Sequence, residues 1–180
     1  YVQPYHDCPW DDEPVGQTVY LNLINRAKRY VYITTPYLVI DYAVTVALTT
    51  AAKSGVDVRI ITPHIPDKKT VFEVTRSYYE ELLSAGVKIY EYTPGFIHSK
   101  LFVADDFYAT VGTVNLDYRS MFLHFENGVL LYGTPTVADI RTDILETQEK
   151  CFEVTLDDCA RVPLPRRLFR DLLRAFAPLL

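Results

Sequence analysis

Asp41-Tyr-Ala-Val-Thr-Val-Ala-Leu-Thr-Thr-Ala-Ala-Lys53-Ser-Gly55-Val56-Asp-Val-Arg-Ile-Ile-Thr62 changes its periodicity halfway along, and that change decides the fold class. Asp41 is a good N-cap for a helix running to Lys53, and Gly55 stops that helix. Val56 to Thr62 is then a β-branched run, the pattern of a strand buried on both faces. Pro63 and Pro66 end it.

The same alternation continues on either side. Upstream, Tyr30 to Thr34 reads as a short strand ended by Pro36, and Thr18 to Lys28 as a helix with apolar Val19, Leu21, Leu23, Ile24 and Ala27. Downstream, Lys68 to Ala85 reads as a helix closed by Gly86, and Val87 to Tyr92 as another strand. Two successive strand–helix–strand units predict an α/β fold: a mixed β-sheet flanked by helices on both faces. After Gly95 the helices stop alternating. Ile97 to Ala104, Phe107 to Val111 and Leu123 to Tyr132 read as strands, with Asp105-Asp106 as a tight turn between the first two. Pro135 to Lys150 reads as a helix on Val137, Ile140, Ile144 and Leu145. The expected organisation is an irregular arm over 1–16, rich in Pro, Asp and Gly, one domain over 17–155, and a linker with a terminal helix over 156–180.

Composition narrows the classes. A 180-residue chain, 49% hydrophobic, can bury a core without metal or disulfide staples. The three cysteines, Cys8, Cys151 and Cys159, are odd in number and lack zinc spacing, so they read as reduced thiols of a cytoplasmic protein. No stretch approaches the ~18 apolar residues of a membrane span, and the start lacks a signal-peptide pattern. Net charge −5 argues against a nucleic-acid partner, though not against a local basic pocket. A first residue of Tyr1 fits a domain cut from a longer parent, or processing.

The chemistry concentrates in Phe96-Ile-His98-Ser-Lys100-Leu-Phe-Val-Ala-Asp105. Side chains alternate along a strand, so His98 and Lys100 share a face. Such a pair suits a phosphate: the lysine holds the oxyanion while the histidine attacks phosphorus or protonates the leaving group. Gly112-Thr113-Val-Asn115 follows at fixed spacing. Gly112 lets backbone approach a ligand closely, and Asn115 can donate to a phosphoryl oxygen. Glu126, on the next expected strand, is placed to accept the second ring N–H of His98 and fix its tautomer. Arg119 reads equally as a phosphate or carboxylate partner and as a surface salt bridge. Tyr37, just past a strand end, is expected to line the pocket.

The string His98-x-Lys100-x4-Asp105-x6-Gly112-Thr113-x-Asn115 closely resembles the signature of the phospholipase D superfamily, with Thr113 in its Ser/Thr position. Thr35-Pro36-Tyr37, Gly55 to Ile60, Ile65 to Lys68, Tyr90 to Tyr92, Gly95 to His98 and Asn115 to Ser120 are further similar to the C-terminal half of the bacterial cardiolipin synthases, so the likeness runs over nearly the whole chain. The resemblance implies one lobe of the phospholipase D architecture. It implies His98 as the nucleophile of a phosphohistidine or as the general acid paired with it, Lys100, Thr113 and Asn115 as binders of phosphoryl oxygens, Glu126 as the orienter of His98, and Asp105 as a supporting residue. No metal or other cofactor is implied, because cationic side chains stabilise the charge. The substrate implied is phosphatidylglycerol, at a bacterial cell membrane, with this part peripheral on the cytoplasmic side and its parent anchored. Family members need two such motifs, and His6, His64 and His124 lack a lysine two residues on. The expected partner is therefore an N-terminal half of the parent chain or a second copy. A dimeric nuclease of the same superfamily and a non-catalytic membrane-binding half are the alternatives.

The tail from Pro165 to Pro178 gathers Leu168, Phe169, Leu172, Leu173 and Phe176 on one helical face and Arg166, Arg167, Arg170 and Arg174 on the rest. A basic amphipathic helix suits an anionic lipid surface; docking on its own domain is the competing expectation.

Overall fold

Asp41 Oδ1 accepts from the Val44 N–H at 2.8 Å, and Gly55 turns the chain at φ +91°, so the helix between them starts and stops where the sequence places it. The structure, a computed structural model, describes residues 1–179. The first half alternates: β1 (Val2–Asp7), α1 (Val15–Arg26), β2 (Tyr30–Thr34), β3 (Leu38–Val39), α2 (Tyr42–Lys53), β4 (Asp57–Pro63), α3 (Lys69–Ser77), α4 (Tyr79–Ser84) and β5 (Lys88–Tyr92). The second half holds β6 (Leu101–Ala104), β7 (Tyr108–Gly112), β8 (Leu116–Asp117), α5 (Tyr118–Phe122), β9 (Glu126–Tyr132), α6 (Thr136–Gln148), β10 (Cys151–Val154), α7 (Leu156–Ala160) and α8 (Leu164–Arg174).

Eight strands form one mixed sheet in the order β1-β9-β7-β6-β2-β4-β5-β10, and β3 pairs with β8 apart from it. The parallel pairs β2–β4 and β4–β5 are joined by helical crossovers, and the remaining neighbours in the large sheet are antiparallel. Period-two alternation sends Val31, Ile33, Val58, Ile60, Ile89 and Phe102 to the face covered by α1, α2, α3 and α4. Tyr30, Tyr32, Ile61, Tyr90 and Val103 go to the other face, against Val137, Ile140 and Ile144 of α6. Each fully buried aliphatic side chain in these layers contributes roughly 1.5–3 kcal/mol.

Four departures from the sequence reading have physical causes. The opening 1–16 is not wholly irregular: β1 pairs antiparallel with β9 from Val2↔Leu131 to Asp7↔Glu126. It is an exposed edge strand, where Pro4 is tolerated and no hydrophobic alternation is needed. The long helix 68–85 breaks at Tyr78, where Ser77 Oγ donates to Val74 O at 2.6 Å and competes with the helical ladder. The expected strand 123–132 begins only at Glu126, and α5 precedes it, capped by Asp117, which accepts from Ser120 N at 2.7 Å. The expected linker after 156 contains α7, started by a capping box between Thr155 and Asp158.

The tail helix forms, but with its arginine face turned inward. Arg166 and Arg170 hold Glu73, Arg167 holds Glu80, and Arg174 holds Glu81 while lying 4.0 Å from the Tyr78 ring centroid. Partial burial opposes ionisation of Glu73, but the Arg166 and Arg170 hydrogen bonds outweigh it and pull its carboxyl down to about 2. The arginines are thus occupied by the domain itself, while Leu168, Phe169, Leu172 and Phe176 remain exposed.

The Asp105-Asp106 turn is as expected, with φ +55° and +64°, the pair of left-handed residues a type I′ hairpin needs. Its carboxylate also ties the hairpin to the start of β2, accepting from the backbone N–H groups of Lys28, Arg29 and Tyr30 at 2.6, 2.8 and 3.0 Å. Asp105→Ala should lower unfolding stability by about 2 kcal/mol, because three donors lose a charged acceptor. A urea midpoint within error of wild type would show the tether to be dispensable.

Candidate active site

The site lies at the end of the sheet where β2 and β4 finish, the usual location for ligands in open α/β sheets. Pro36 cannot donate to a ladder, so β2 ends beside it, and Thr34↔Leu101 is the last β2–β6 pair. Two buried threonines hold the motif segments there. Thr34 Oγ1 accepts from Leu101 N at 3.2 Å and from Ser99 Oγ at 2.9 Å. Thr35 Oγ1 accepts from Leu116 N at 3.1 Å and donates to Tyr37 O at 2.8 Å. Residues 96–100 run as coil just before β6, and not inside a strand as the sequence suggested.

His98 is exposed, whereas Lys100 is only 8% exposed. The Lys100 ammonium donates to the His98 carbonyl at 2.7 Å and sits 2.9 and 3.1 Å from the ring nitrogens Nδ1 and Nε2. Burial pulls the Lys100 pKa below its ordinary value, and the Glu126 and Asp117 carboxylates oppose that. Burial and then the Lys100 charge depress the His98 pKa, with Asp67 pulling the other way. The arrangement keeps a neutral, accessible imidazole beside a fixed positive charge, which is what attack on an anionic phosphodiester requires.

Asn115 donates from Nδ2 to Ser120 Oγ at 2.9 Å, and its Oδ1 is buried without a partner. Tyr37 and Asn115 line one cavity of about 550 Å3. The Tyr37 hydroxyl donates to Asp67 Oδ2 at 2.5 Å, and its ring lies 6.2 Å from Phe96, which in turn lies 5.8 Å from the His98 ring.

Glu126, Thr113 and Gly112 make other contacts in the structure than those expected, and Asp105 keeps a supporting place. Glu126 is buried, but it accepts from Thr113 Oγ1 and lies 3.6 Å from His124 Nδ1; it makes no hydrogen bond to His98 among the described residues. Thr113 is turned to Glu126 and to the Asn127 N–H at 3.0 Å. Gly112 serves strand packing: a Cβ there would lie 2.3 Å from Asn127 O, so it admits β9 and not a ligand. Asp105 belongs to the far end of β6, four strand residues from Lys100, or about 3.3 Å of rise for each. Its place is structural.

Sequence reasoning gave no role to Thr34, Thr35, His124, Lys68 or Lys69. The last two follow a loop secured by Glu91, which accepts from Arg76 Nε and Nη2 at 2.8 and 2.6 Å and meets His64 Nδ1 at 2.7 Å. Only the Pro63–Pro66 interruption hinted at a built loop.

With this geometry in place, the family model for the cardiolipin synthase, PLD-like domain matches residues 20–147. The chain belongs to that family. An uncharacterised protein of Streptococcus mutans is 48% identical over 180 residues, covering all of this chain and 39% of its own length. A cardiolipin synthase of Geobacillus sp. (strain WCH70) is 43% identical over 174 residues, covering 97% of this chain and 34% of its own. The chain therefore spans between a third and two fifths of these relatives. Among solved structures, Nuc, a phospholipase D family member from Salmonella typhimurium, aligns with TM-score 0.73 at 18% identity over 86% of this chain and 98% of its own. Phosphatidylserine synthase of Haemophilus influenzae aligns with TM-score 0.75 at 20% identity over 99% and 45%. These two show the shared fold.

Lys100→Met should raise the His98 pKa towards the ordinary imidazole value, because the like charge is removed while partial burial remains. Histidine ring resonances followed by NMR through about pH 4.5–8.5, two units either side of the free value, measure it. An unchanged midpoint would mean that Lys100 does not control His98.

Proposed function

We propose that this domain supplies one half of the active site for phosphatidyl transfer between two phosphatidylglycerol molecules, giving cardiolipin and glycerol. The observation that carries the reading is the buried Lys100 ammonium set against the exposed, pKa-depressed His98. Likeness to cardiolipin synthases over 97% of the chain supports the substrate class. His98 attacks the phosphorus of the first lipid, and glycerol departs with a proton from the histidine of a second motif. The primary hydroxyl of the second lipid then attacks the phosphohistidine, giving its proton back to that second histidine; the P–N bond breaks, cardiolipin is released and His98 is restored. Lys100 and Asn115 stabilise the negative charge that builds on the phosphoryl oxygens. The second motif comes from the remaining length of a parent chain or from a second copy of this one.

Lipid access fits the outer surface. No helix among the described residues is long and apolar enough to cross a membrane. The exposed apolar side of α8 leads to Leu179, which lines the cavity beside Asn115. A bilayer touching that side would bring headgroups to the site by apolar contact, with the arginines occupied elsewhere.

Purified chain mixed with phosphatidylglycerol vesicles, alone and with an N-terminal half of a relative, should form cardiolipin detectable by mass, and His98→Ala should not. No product in either mixture would end the synthase reading. Separately, Leu168→Glu with Leu172→Glu should weaken vesicle binding by at least about tenfold, since each leucine contributes roughly 1.5–3 kcal/mol when buried. Unchanged sedimentation with vesicles would remove α8 from the membrane contact.

A further inference from the structure

We infer that the cavity lined by Tyr37 and Asn115 contains a second anion subsite, formed by Lys68, Lys69 and Arg119, which holds the phosphodiester of the acceptor lipid. This inference rests on the transferase reading. Its first support is spatial: the three cations line the 550 Å3 cavity together with Asn115 of the signature motif.

The second support is charge. Among the described residues, Lys68, Lys69 and Arg119 have no carboxylate partner, whereas Arg166, Arg167, Arg170 and Arg174 are each paired with a glutamate. The nearby acids are occupied. Asp67 uses Oδ2 for the Tyr37 hydroxyl and Oδ1 for the Lys68 N–H at 2.6 Å. Asp117 caps α5 through Ser120 N at 2.7 Å, so one of its carboxylate oxygens is already engaged. Glu126 is engaged by Thr113 and His124. Lys68 Nζ is held 5.8 Å from the Tyr37 ring centroid, which keeps the ammonium over the cavity wall. Three clustered like charges repel one another, and an anion between them relieves that repulsion.

The third support is the chemistry. Water as nucleophile brings no second anion to the site. A phosphatidylglycerol acceptor does: its attacking hydroxyl is joined through the glycerol carbons to its own phosphodiester. The reacting phosphoryl group takes Lys100, Asn115 and His98, so the acceptor phosphate needs other cations within headgroup reach. The subsite thereby favours transfer over hydrolysis by placing a lipid hydroxyl, and not water, against the phosphohistidine.

The test uses the active assembly on phosphatidylglycerol vesicles and reads the ratio of cardiolipin to phosphatidic acid, the product when water cleaves the phosphohistidine. Lys68→Ala with Lys69→Ala, and separately Arg119→Ala, should lower that ratio at least tenfold, and Lys68→Arg with Lys69→Arg should restore it. Equal loss of both products, or an unchanged ratio, overturns the inference. A binding arm separates it from the transferase reading. Glycerophosphoglycerol titrated into the chain should shift the Arg119 side-chain NMR signal in His98→Ala as in wild type, and bind at least tenfold more weakly to Lys68→Ala with Lys69→Ala. Equal binding there refutes the subsite even if wild type makes cardiolipin; intact binding with no cardiolipin from wild type refutes the transfer reading instead.

Discussion

A lysine ammonium taken almost wholly out of water must be solvated by the protein, and this requirement organises the reactive end of the domain. Lys100 satisfies it with the His98 carbonyl and imidazole, under the longer-range pull of Glu126 and Asp117. Acceptors so close confine the ammonium to one place. Burial first, and then the closeness of Lys100, lower the His98 pKa, since a second positive charge beside the first is unfavourable.

That local arrangement depends on the frame. Thr34 and Thr35, each 1% exposed, carry hydroxyls that bind the two motif segments from the end of β2. Their positions follow from Pro36, which stops the strand. The Asp105 tether works at the opposite end of β6, anchoring the hairpin that leads away from Lys100. The signature therefore mixes two kinds of residue: His98 and Lys100 meet in the segment before β6, while Asp105 and Gly112 hold the strands around them in register.

The helix α8 shows how amphipathicity underdetermines orientation. Its two faces are plain in the sequence, but which face turns inward depends on what waits there. Glu73, Glu80 and Glu81 lie on α3 and α4, far away in the chain, and they claim the arginines. The apolar face is left outward, the reverse of a helix that lays its charges on headgroups. Desolvation is tolerable because each arginine reaches a carboxylate with geometry close enough to compensate it.

Much of this protein was legible along the chain. Strands buried on both faces read as β-branched runs, helices between them as 3.6-residue periods, and a phosphate-handling pair as His98 and Lys100 at a spacing of two, because these signals come from local geometry that repeats with the backbone. The edge strand β1 was not legible, since one exposed strand needs no apolar pattern. Nor was the role of Glu126, which is set by Thr113 and His124 closing around it, nor the unpaired state of Lys68, Lys69 and Arg119, which depends on where every nearby carboxylate is spent. Local periodicity and motif spacing are properties of neighbours in sequence. Which charge meets which partner is decided only when segments tens of residues apart are packed together and compete for the same few acceptors.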